Sequence, residues 1–461
     1  MATEMAKNLR GTVLSLAAGA LVMAGNAPAA TPQAFQSAAG KEGEVVIVTT
    51  GDSIIMRHLQ AIGRPGVDRL WGLIRGADVA FTNFETQITD FTIPAAQQSG
   101  GTYMSSPPWV IDELEWAGFD MVSDANNHAG DYGPDGLRST LAALAKSHLA
   151  YAGAGENLAF ARAPAYVDTK KGRVALISVT SSFPSASVAG AQRKDLRGRP
   201  GINPLHHSRT NTVPQATFDV LKQLTGSTGN KVTYGDDEFV VGDKVSTLTK
   251  ADPDDMRELM ASIKDAKAQA DFVVVSIHHH EFESPADRLQ PAAFGIEFAH
   301  AAIDAGADIV TGHGYHQLRG VEVHHGKPIL YSLGDFIFEN DLVRFQPADN
   351  YAKAGLGNEN LVSDFYSARS NNDTGRYSAD RRYWQTAVAE AVFSQQDHKL
   401  KALRLHPVSL NFYDSKRSTR GQPAPASPKE SGEIFEDIRK NSTPFGTKFD
   451  YQNGLITVVL E

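Results

Sequence analysis

The chain contains no cysteine among its 461 residues. This absence excludes disulfide bonds, thiolate metal ligands and a lipid-modified amino-terminal cysteine. A metal site in this protein therefore has to use nitrogen and oxygen ligands from histidine, carboxylate and amide side chains. The chain also lacks a net positive charge. Its formal charge of −9 argues against a nucleic-acid partner, because such partners bind to a basic surface.

Long hydrophobic runs are also missing after residue 30, since no stretch there approaches the ~18 apolar residues of a transmembrane helix. Residues 1–30 have the outline of an export signal: Lys7 and Arg10 precede an uncharged stretch, and Ala27 to Ala29 are small residues typical of a cleavage site. The sequence thus predicts an exported protein, periplasmic or at the cell surface, with no integral membrane span after cleavage. A leader retained as an anchor is the alternative.

The remaining composition is that of a globular protein, with 41 % hydrophobic and 21 % charged residues. Apolar strand patterns alternate with amphipathic helix patterns, which predicts an α/β fold with a helix-covered parallel or mixed sheet. We expect a linker at 31–43 and a main domain at 44–340, with an inserted loop region at 181–250. Residues 341–385 are predicted to form a polar loop or flap, and residues 386–461 return strands to the fold.

Polar side chains follow five predicted strands where each strand ends. They are Asp52 after Val45–Thr50, Asn83 and Glu85 after Asp78–Thr82, Asn127 and His128 after Phe119–Ser123, His278 and His280 after Phe272–Ile277, and His313 and His316 after the strand from Ala307. Each motif alone is typical of an ordinary turn. Because ligands bind at the carboxyl ends of strands in α/β sheets, their convergence predicts a metal site.

The ligand types suit one or two divalent ions of Mn, Fe, Zn or Mg. Two ions bridged by a carboxylate would generate a hydroxide nucleophile and hold the oxygens of a phosphate or carbonyl group. In that arrangement His128 would protonate the leaving group.

The ordered motifs GD, NFE, ANNHAGDYG, HHHEFE, GHGYHQLRG and YSLGDF occur between Val45 and Phe338. This set resembles the CapA family of poly-gamma-glutamate capsule biosynthesis proteins, which is related to the calcineurin-like metallophosphoesterases. The resemblance implies a metallophosphoesterase-like four-layer αββα sandwich with two mixed sheets, completed by the carboxyl-terminal strands. It also implies His128 as the catalytic histidine. The implied metal ligands are Asp52, Glu85, Asn127, His278, His313 and His316, with His280 and Glu281 as variant members of the site.

Three positions depart from the pattern of that superfamily. Ile54 stands where a metal-binding histidine is expected, Glu85 where a bridging aspartate is expected, and Asp335 where the family has asparagine. The site could therefore hold a single metal, or His280 could replace the missing ligand. The weaker candidates for substrate contact are Asn83, Glu281, Arg319, Asp335, Arg197 and Arg199.

The leading hypothesis is a secreted metal-dependent hydrolase of the CapA type that acts in capsule or cell-envelope polymer metabolism. Its substrate would be either a phosphoester, as the superfamily suggests, or a gamma-glutamyl amide of the anionic polymer poly-gamma-glutamate, as the capsule association suggests. The alternative is a non-catalytic component of a capsule synthesis or export complex with a vestigial metal site, supported by Ile54. A third hypothesis is a periplasmic binding protein for an acidic polymer that uses the basic loop of Arg193, Lys194, Arg197 and Arg199.

Overall fold

The computed structural model describes residues 34–35, 40–89, 91–284, 286–414 and 416–460. The predicted leader and most of the predicted linker lie outside these residues. Within the described part of the chain, no helix combines the length and apolar character that crossing a membrane requires.

Strands occur along the whole described chain. They are β1 (Glu44–Ile54), β2 (Val79–Phe84), β3 (Gln87–Ile88), β4 (Ser105–Ser106), β5 (Met121–Ser123), β6 (Ala150–Ala152), β7 (Ala154–Gly155), β8 (Ala165–Thr169), β9 (Gly172–Thr180), β10 (Gly201–Ile202), β11 (His207–Val213), β12 (Lys231–Tyr234), β13 (Asp237–Val241), β14 (Ser246–Ala251), β15 (Phe272–His278), β16 (Ile309–His313), β17 (Val321–His324), β18 (Lys327–Leu330), β19 (Asp335–Phe338), β20 (Gln385–Ser394), β21 (Leu400–Ser409), β22 (Ala424–Pro425), β23 (Phe449–Gln452) and β24 (Leu455–Val458).

The α-helices lie mostly between these strands. They are α1 (Val67–Gly76), α2 (Val110–Ala117), α3 (Gly133–Leu144), α4 (Leu158–Arg162), α5 (Gln215–Thr225), α6 (Pro253–Gln269), α7 (Ala293–Ala305), α8 (Ala348–Lys353), α9 (Val362–Arg369) and α10 (Pro428–Asn441).

Two mixed sheets form the centre of the molecule. The first has the order β23-β24-β21-β20-β1-β2-β5-β6, with β19 also beside β1, and the second has the order β17-β18-β16-β15-β9-β8. In the first sheet β1 is parallel to β2 and antiparallel to β20. In the second, β9 is parallel to β15 and antiparallel to β8. The carboxyl-terminal strands therefore complete the first sheet.

Alternating side chains on the central strands define the layers. Ile47 of β1 and Leu176 of β9 belong to the same buried core, which lies between the sheets. The neighbouring Val48 packs on the other face of the first sheet with residues of α1 and α2. Ile177 packs on the outer face of the second sheet with residues of α6 and α7. The predicted four-layer αββα sandwich with two mixed sheets is confirmed.

Two segments contain more regular structure than their sequence predicts. The expected loop region at 181–250 includes the sheet β12-β13-β11-β14 and helix α5, held by a small core around Phe218. Polar residues dominate β11, so no apolar alternation marks it as a strand. The polar segment at 341–385 contains α8 and α9, and α9 is anchored by the buried residues Phe365 and Tyr366.

Candidate metal centre

Strand register brings the predicted ligands together at one edge of the sandwich. Asp52 of β1 lies in register with Asn83 of the neighbouring β2 and with Asp335 of β19 on the other side. In the second sheet His278 of β15 lies in register with His313 of β16. Apart from Asp335, which begins β19, these polar side chains lie toward the carboxyl ends of parallel strands in both sheets, where α/β folds place their ligand sites.

The carboxylate of Asp52 contacts residues from both sheets. Its Oδ1 accepts a hydrogen bond of 2.7 Å from Asn83 Nδ2, and its Oδ2 accepts one of 2.8 Å from the backbone N–H of Gly314. The Nδ1 atoms of His313 and His278 lie 3.3 and 3.7 Å from Asp52 Oδ1. Asp52, His278 and His313 are fully buried and form one set of atoms that could hold a cation.

Glu85 carries the least satisfied carboxylate of this edge. Both of its oxygens are buried, and neither has a hydrogen-bond partner among the residues that the structure describes. Its Oε1 lies 3.8 Å from His278 Nε2, 3.9 Å from His128 Nε2 and 4.0 Å from His316 Nε2. Burying an unpaired carboxylate is very unfavourable unless a cation or hydrogen bonds compensate its charge. The surroundings of Glu85 therefore suit a bound cation.

Two further candidate cation sets include Glu85. One combines it with His278 and His280, and the other with Asp52, His316 and Asp335. Because Asp52, Glu85 and His278 each belong to two of the three sets, the sets are contiguous. We call the seven residues of these sets the strand-end centre: Asp52, Glu85, His278, His280, His313, His316 and Asp335.

The turn after β16 is shaped to fit this centre. A Cβ atom on Gly314 would lie 2.9 Å from His278 Nε2, and its φ of 97° also favours glycine. His316 itself has a φ of 60°, which is uncommon for a non-glycine residue. This conformation accompanies a hydrogen bond of 2.7 Å between His316 Nδ1 and Asp335 Oδ1. Asp335, one of the departures noted in the sequence, thus contributes an acid directly to the centre.

His128 stands beside the centre with its own carboxylate partner. Its Nδ1 lies 2.7 Å from Asp131 Oδ2, which leaves Nε2 facing Glu85. Asp131 is fixed in turn by the backbone N–H groups of Gly100 and Met104, which donate to its two oxygens. An imidazole oriented through Nδ1 can exchange a proton at Nε2. Asp131 lies within the motif ANNHAGDYG, and its position three residues after His128 is the sequence signal for this pairing.

Comparison with known proteins agrees with the order of these motifs. Residues 46–340, more than half of the chain, match the family described as bacterial capsule synthesis protein PGA_cap. The chain belongs to this PGA_cap family. The capsule biosynthesis protein CapA of Bacillus anthracis is 27 % identical over 313 residues, 66 % of this chain and 62 % of the relative. The predicted CapA-type resemblance is thereby confirmed.

Two other similar proteins extend the comparison. An uncharacterized protein, y4sH, of Sinorhizobium fredii is 32 % identical over 433 residues, which cover 89 % of this chain and 92 % of that protein. The crystal structure of a novel phosphatase of Mycoplasma pneumoniae shares 10 % identity and a TM-score of 0.38 over 79 % of this chain and 94 % of that one.

The histidines of the centre in this PGA_cap member have different pKa values because their surroundings differ. Desolvation, followed by the charges of neighbouring histidines, lowers the pKa of His278 well below its usual value and that of His280 to about 3. The pKa of His316 is instead raised to about 10. Burial acts to lower it, but the negative charges of Asp335 and Glu85 have the larger combined effect. His278 and His280 are therefore neutral near pH 7, the form in which imidazole binds metals.

The pKa values of the carboxyl groups in the centre also shift in different directions. Burial, and then the charge of Asp52, raise the pKa of Glu85 well above its usual value, and burial raises that of Asp335 to about 7. Burial alone would also raise the pKa of Asp52, but its hydrogen bond with His313 and the charge of His313 hold it below the usual value. Crowded carboxylates of this kind repel one another, and a cation between them would relieve the repulsion.

Asn127 lies at the solvent-facing side of the centre. Its Oδ1 is buried and has no hydrogen-bond partner within the described ranges, while its Nδ2 donates to the carbonyl oxygen of Gly100 at 3.0 Å. Asn127 and His280 line one cavity of about 460 Å³ together with Ser182 and Lys353. The unpaired amide oxygen fits the predicted role as a ligand.

The weaker candidates for substrate contact occupy different surroundings. Arg319 is fully buried and donates to the carbonyl oxygens of Glu281 and Arg288, which is at odds with a direct substrate contact. Glu281 accepts hydrogen bonds of 2.8 Å from the hydroxyls of Ser181 and Ser182. Through these contacts Arg319 and Glu281 connect the segments that follow β9, β15 and β16.

The basic loop lies apart from the centre. Arg197 and Arg199 are exposed, and Nε of Arg199 donates to the carbonyl oxygen of Val188. Neither arginine lines the cavity beside His280. Ile54, at the place of the missing histidine, is buried in the core that covers the outer face of the first sheet.

Proposed function

We propose that this protein is an exported, metal-dependent hydrolase that acts on an anionic substrate in capsule or cell-envelope polymer metabolism. The observation that carries the proposal is the buried, unpaired carboxylate of Glu85 beside three imidazoles. Membership of the PGA_cap family supports the connection to capsule and poly-glutamate biosynthesis. The leader pattern of residues 1–30 supports export to the periplasm or cell surface.

The residues at the strand ends fit a divalent cation. The protein ligands would be Asp52, Glu85, Asn127, His278, His280, His313 and His316, assisted by Asp335. Nitrogen and oxygen donors of this kind are suited to Mn, Fe, Zn or Mg. When bound, one or two such ions would supply Lewis acidity and an activated water.

The proton transfers fall to the residues of the chain itself. Asp131 fixes the Nδ1 side of His128, so Nε2 is held toward the centre at 3.9 Å from Glu85. In this orientation His128 would deliver a proton to the leaving group. Asn83 would orient Asp52 through its hydrogen bond of 2.7 Å.

The cavities beside the centre favour a negatively charged substrate. The cavity of about 460 Å³ that contains His280 and Asn127 adjoins a second of about 450 Å³, and both are lined by Lys353 and Gly101. Arg369 and Arg376 line the second cavity. Among the described residues, none of these three cations forms a salt bridge with a carboxylate. Arg369 does donate to Asn340 Oδ1 and lies over the ring of Tyr377, but these neutral partners leave its charge uncompensated. The three positive charges would therefore attract the carboxylates of poly-gamma-glutamate or a phosphate group.

A non-catalytic role in a capsule synthesis or export complex is the second candidate function. The observation that favours it is Ile54, which fills the place of a metal-binding histidine with a buried core side chain. In that case metal binding and His128 would be dispensable for capsule formation.

The deciding experiment is hydrolysis by the full chain after loading with Mn, Fe, Zn or Mg. Phosphoesters and poly-gamma-glutamate would be supplied as separate substrates, and bound metal would be counted in parallel. We expect metal-dependent cleavage of an anionic substrate that His313→Gln abolishes. The control is His148→Gln, which alters an exposed histidine outside the centre.

Two results would contradict the proposal. One is the absence of bound or activating metal in the purified protein. The other is full capsule formation in cells that carry only His128→Ala, which would favour the non-catalytic role.

A further inference from the structure

A second group of histidines lies on the outer side of the second sheet. Helix α7 contributes His300 and Asp304, β17 contributes Glu322 and His324, and His325 follows in the turn to β18. We call these five residues the outer histidine cluster. None of them belongs to the strand-end centre.

Three atoms of this cluster converge on one point. Asp304 Oδ1 lies 3.0 Å from His325 Nδ1 and 3.6 Å from His324 Nε2. The three residues offer ligand atoms that all lie within 4.8 Å of one another. His324 Nε2 is buried and has no hydrogen-bond partner in the described part of the chain. A buried ring nitrogen that points toward a carboxylate without bonding to it has the geometry of an unfilled ligand.

Neighbouring side chains fix the orientation of His324. Its ring stacks on that of His300 with centroids 4.0 Å apart and an interplanar angle of 4°. His300 Nε2 lies 3.0 Å from both carboxylate oxygens of Glu322. The hydroxyl of Tyr331 donates to Glu322 Oε2 at 2.6 Å. His324 is thus held by ring stacking, and Glu322 fixes the His300 ring on which it stacks.

The turn between β17 and β18 directs the second ring. His325 and Gly326 have φ angles of 49° and 75°, so both central residues of this hairpin turn are left-handed. Asparagine and glycine are the usual residues in such a turn. Histidine at the first position places its Nδ1 against Asp304. The sequence therefore has a ligand-type side chain where a simple turn residue would suffice.

We propose that Asp304, His324 and His325 bind a divalent transition-metal ion of the Zn²⁺ type. One carboxylate and two imidazoles suit zinc, whose sites with three protein ligands keep a position open for water or another ligand. Asp304 and His325 are 56 % and 71 % exposed, so that open position would face solvent. The ion would link α7 to the β17–β18 hairpin at the edge of the second sheet.

The test is zinc stoichiometry of the full chain after equilibrium dialysis against Zn²⁺, measured by elemental analysis. We expect Asp304→Asn and His324→Gln each to lose one equivalent of zinc relative to the natural protein. The His313→Gln variant, altered in the strand-end centre, should retain that equivalent. His148→Gln should bind as much zinc as the natural protein. The site is thereby tested independently of the proposed hydrolase activity.

A second measurement guards against misfolded variants. Asp304 and His325 are exposed, so their substitution should leave the fold intact, and circular dichroism would verify this. Zinc should raise the melting temperature of His313→Gln but raise it less in the double variant His313→Gln, Asp304→Asn. Equal zinc content in the natural protein and His324→Gln would overturn the proposal. It would also be overturned if zinc raised the melting temperature equally in His313→Gln and in the double variant His313→Gln, Asp304→Asn.

Discussion

The strand-end centre and the outer histidine cluster use the same side-chain types in opposite surroundings. In the first, Asp52, His278 and His313 are fully buried between two sheets. In the second, the carboxylate of Asp304 is more than half exposed to water. A buried carboxylate stays charged only when a cation or hydrogen bonds compensate its charge, whereas an exposed one is solvated by water. Burial rather than composition therefore determines how strongly each group favours a metal.

The construction of the two groups also differs. The strand-end centre draws on the ends of β1, β2, β15, β16 and β19, so it forms only when both sheets are in place. The outer histidine cluster draws on one helix and one hairpin. Loss of a ligand should consequently affect catalysis in the first group and only metal content and local stability in the second.

The largest expected effect comes from removing a ligand of the strand-end centre. His313→Ala should reduce hydrolysis to the level without added metal, because His313 contacts Asp52 and belongs to a fully buried cation set. The measurement is the rate of substrate cleavage together with metal content. In contrast, His325→Ala should leave the cleavage rate unchanged. Equal losses in both variants would abolish the functional distinction between the two groups.

The next effect concerns His128. His128→Ala should lower kcat by about 10²–10⁴-fold, the usual contribution of a general acid, while the metal content of the centre stays the same. Separate measurements of kcat and bound metal distinguish this outcome from ligand loss. A variant that loses metal along with activity would instead make His128 a ligand or a support of the centre.

A smaller effect is expected at Asp131. Asp131→Asn should reduce activity by about 10–100-fold, similar to the loss of other outer partners of functional histidines. The reason is that an amide has a single acceptor oxygen and cannot replace the carboxylate toward both His128 and the backbone N–H groups. The pH–rate profile is the informative readout, since loss of the carboxylate partner at Nδ1 would alter the proton transfer by His128. An unchanged profile with reduced stability would assign Asp131 a structural role alone.

Sequence patterns predicted the parts of the centre that depend on strand ends. Apolar runs located β1 and β15, and the polar residues after them, such as Asp52 and His278, do lie together in the structure. The pairing of His128 with Asp131 was missed because it depends on how a turn folds back. Lys353 was missed because it reaches the cavity from a segment predicted to be a loop.

The outer histidine cluster shows a different limit of prediction. His300 and His324 are far apart in sequence, and their stacking depends on the position of α7 against the edge of the second sheet. That position is set by packing of buried residues such as Phe298 and Ile329. Periodicity predicts that α7 is a helix but not which of its residues meets the hairpin.

A chelator should remove metal from the outer histidine cluster and from the strand-end centre at different rates. A moderate concentration of EDTA is expected to remove the outer ion first, because the exposed ligands Asp304 and His325 leave it accessible, while the buried centre releases its ion more slowly. Zinc content followed alongside activity should show one fraction lost without loss of hydrolysis. Simultaneous loss of metal and activity from the start would contradict the difference in exposure.

The smallest effect is expected at Asp124, a buried carboxyl group outside the strand-end centre that can be compared with Glu85. Like Glu85, Asp124 is fully buried, and neither of its oxygens has a hydrogen-bond partner among the described residues. Unlike Glu85, it belongs to none of the candidate cation sets formed by the described residues. Burial alone raises its pKa well above the usual value. Asp124 is thus a buried carboxyl group for which no cation is expected.

This difference predicts opposite responses to neutralisation. The unfolded chain releases the Asp124 proton near its ordinary pKa of about 3.9, whereas the folded chain retains it to higher pH, so the residue lowers the free energy of unfolding as pH rises above about 4. Asp124→Asn removes that loss and should stabilise the protein by about 1–3 kcal/mol at pH 7 and by almost nothing at pH 3.5. Urea unfolding at the two pH values measures this. Glu85→Gln in metal-loaded protein should instead be destabilising, because it removes a ligand; stabilisation by both substitutions would mean that neither carboxylate is compensated by a cation.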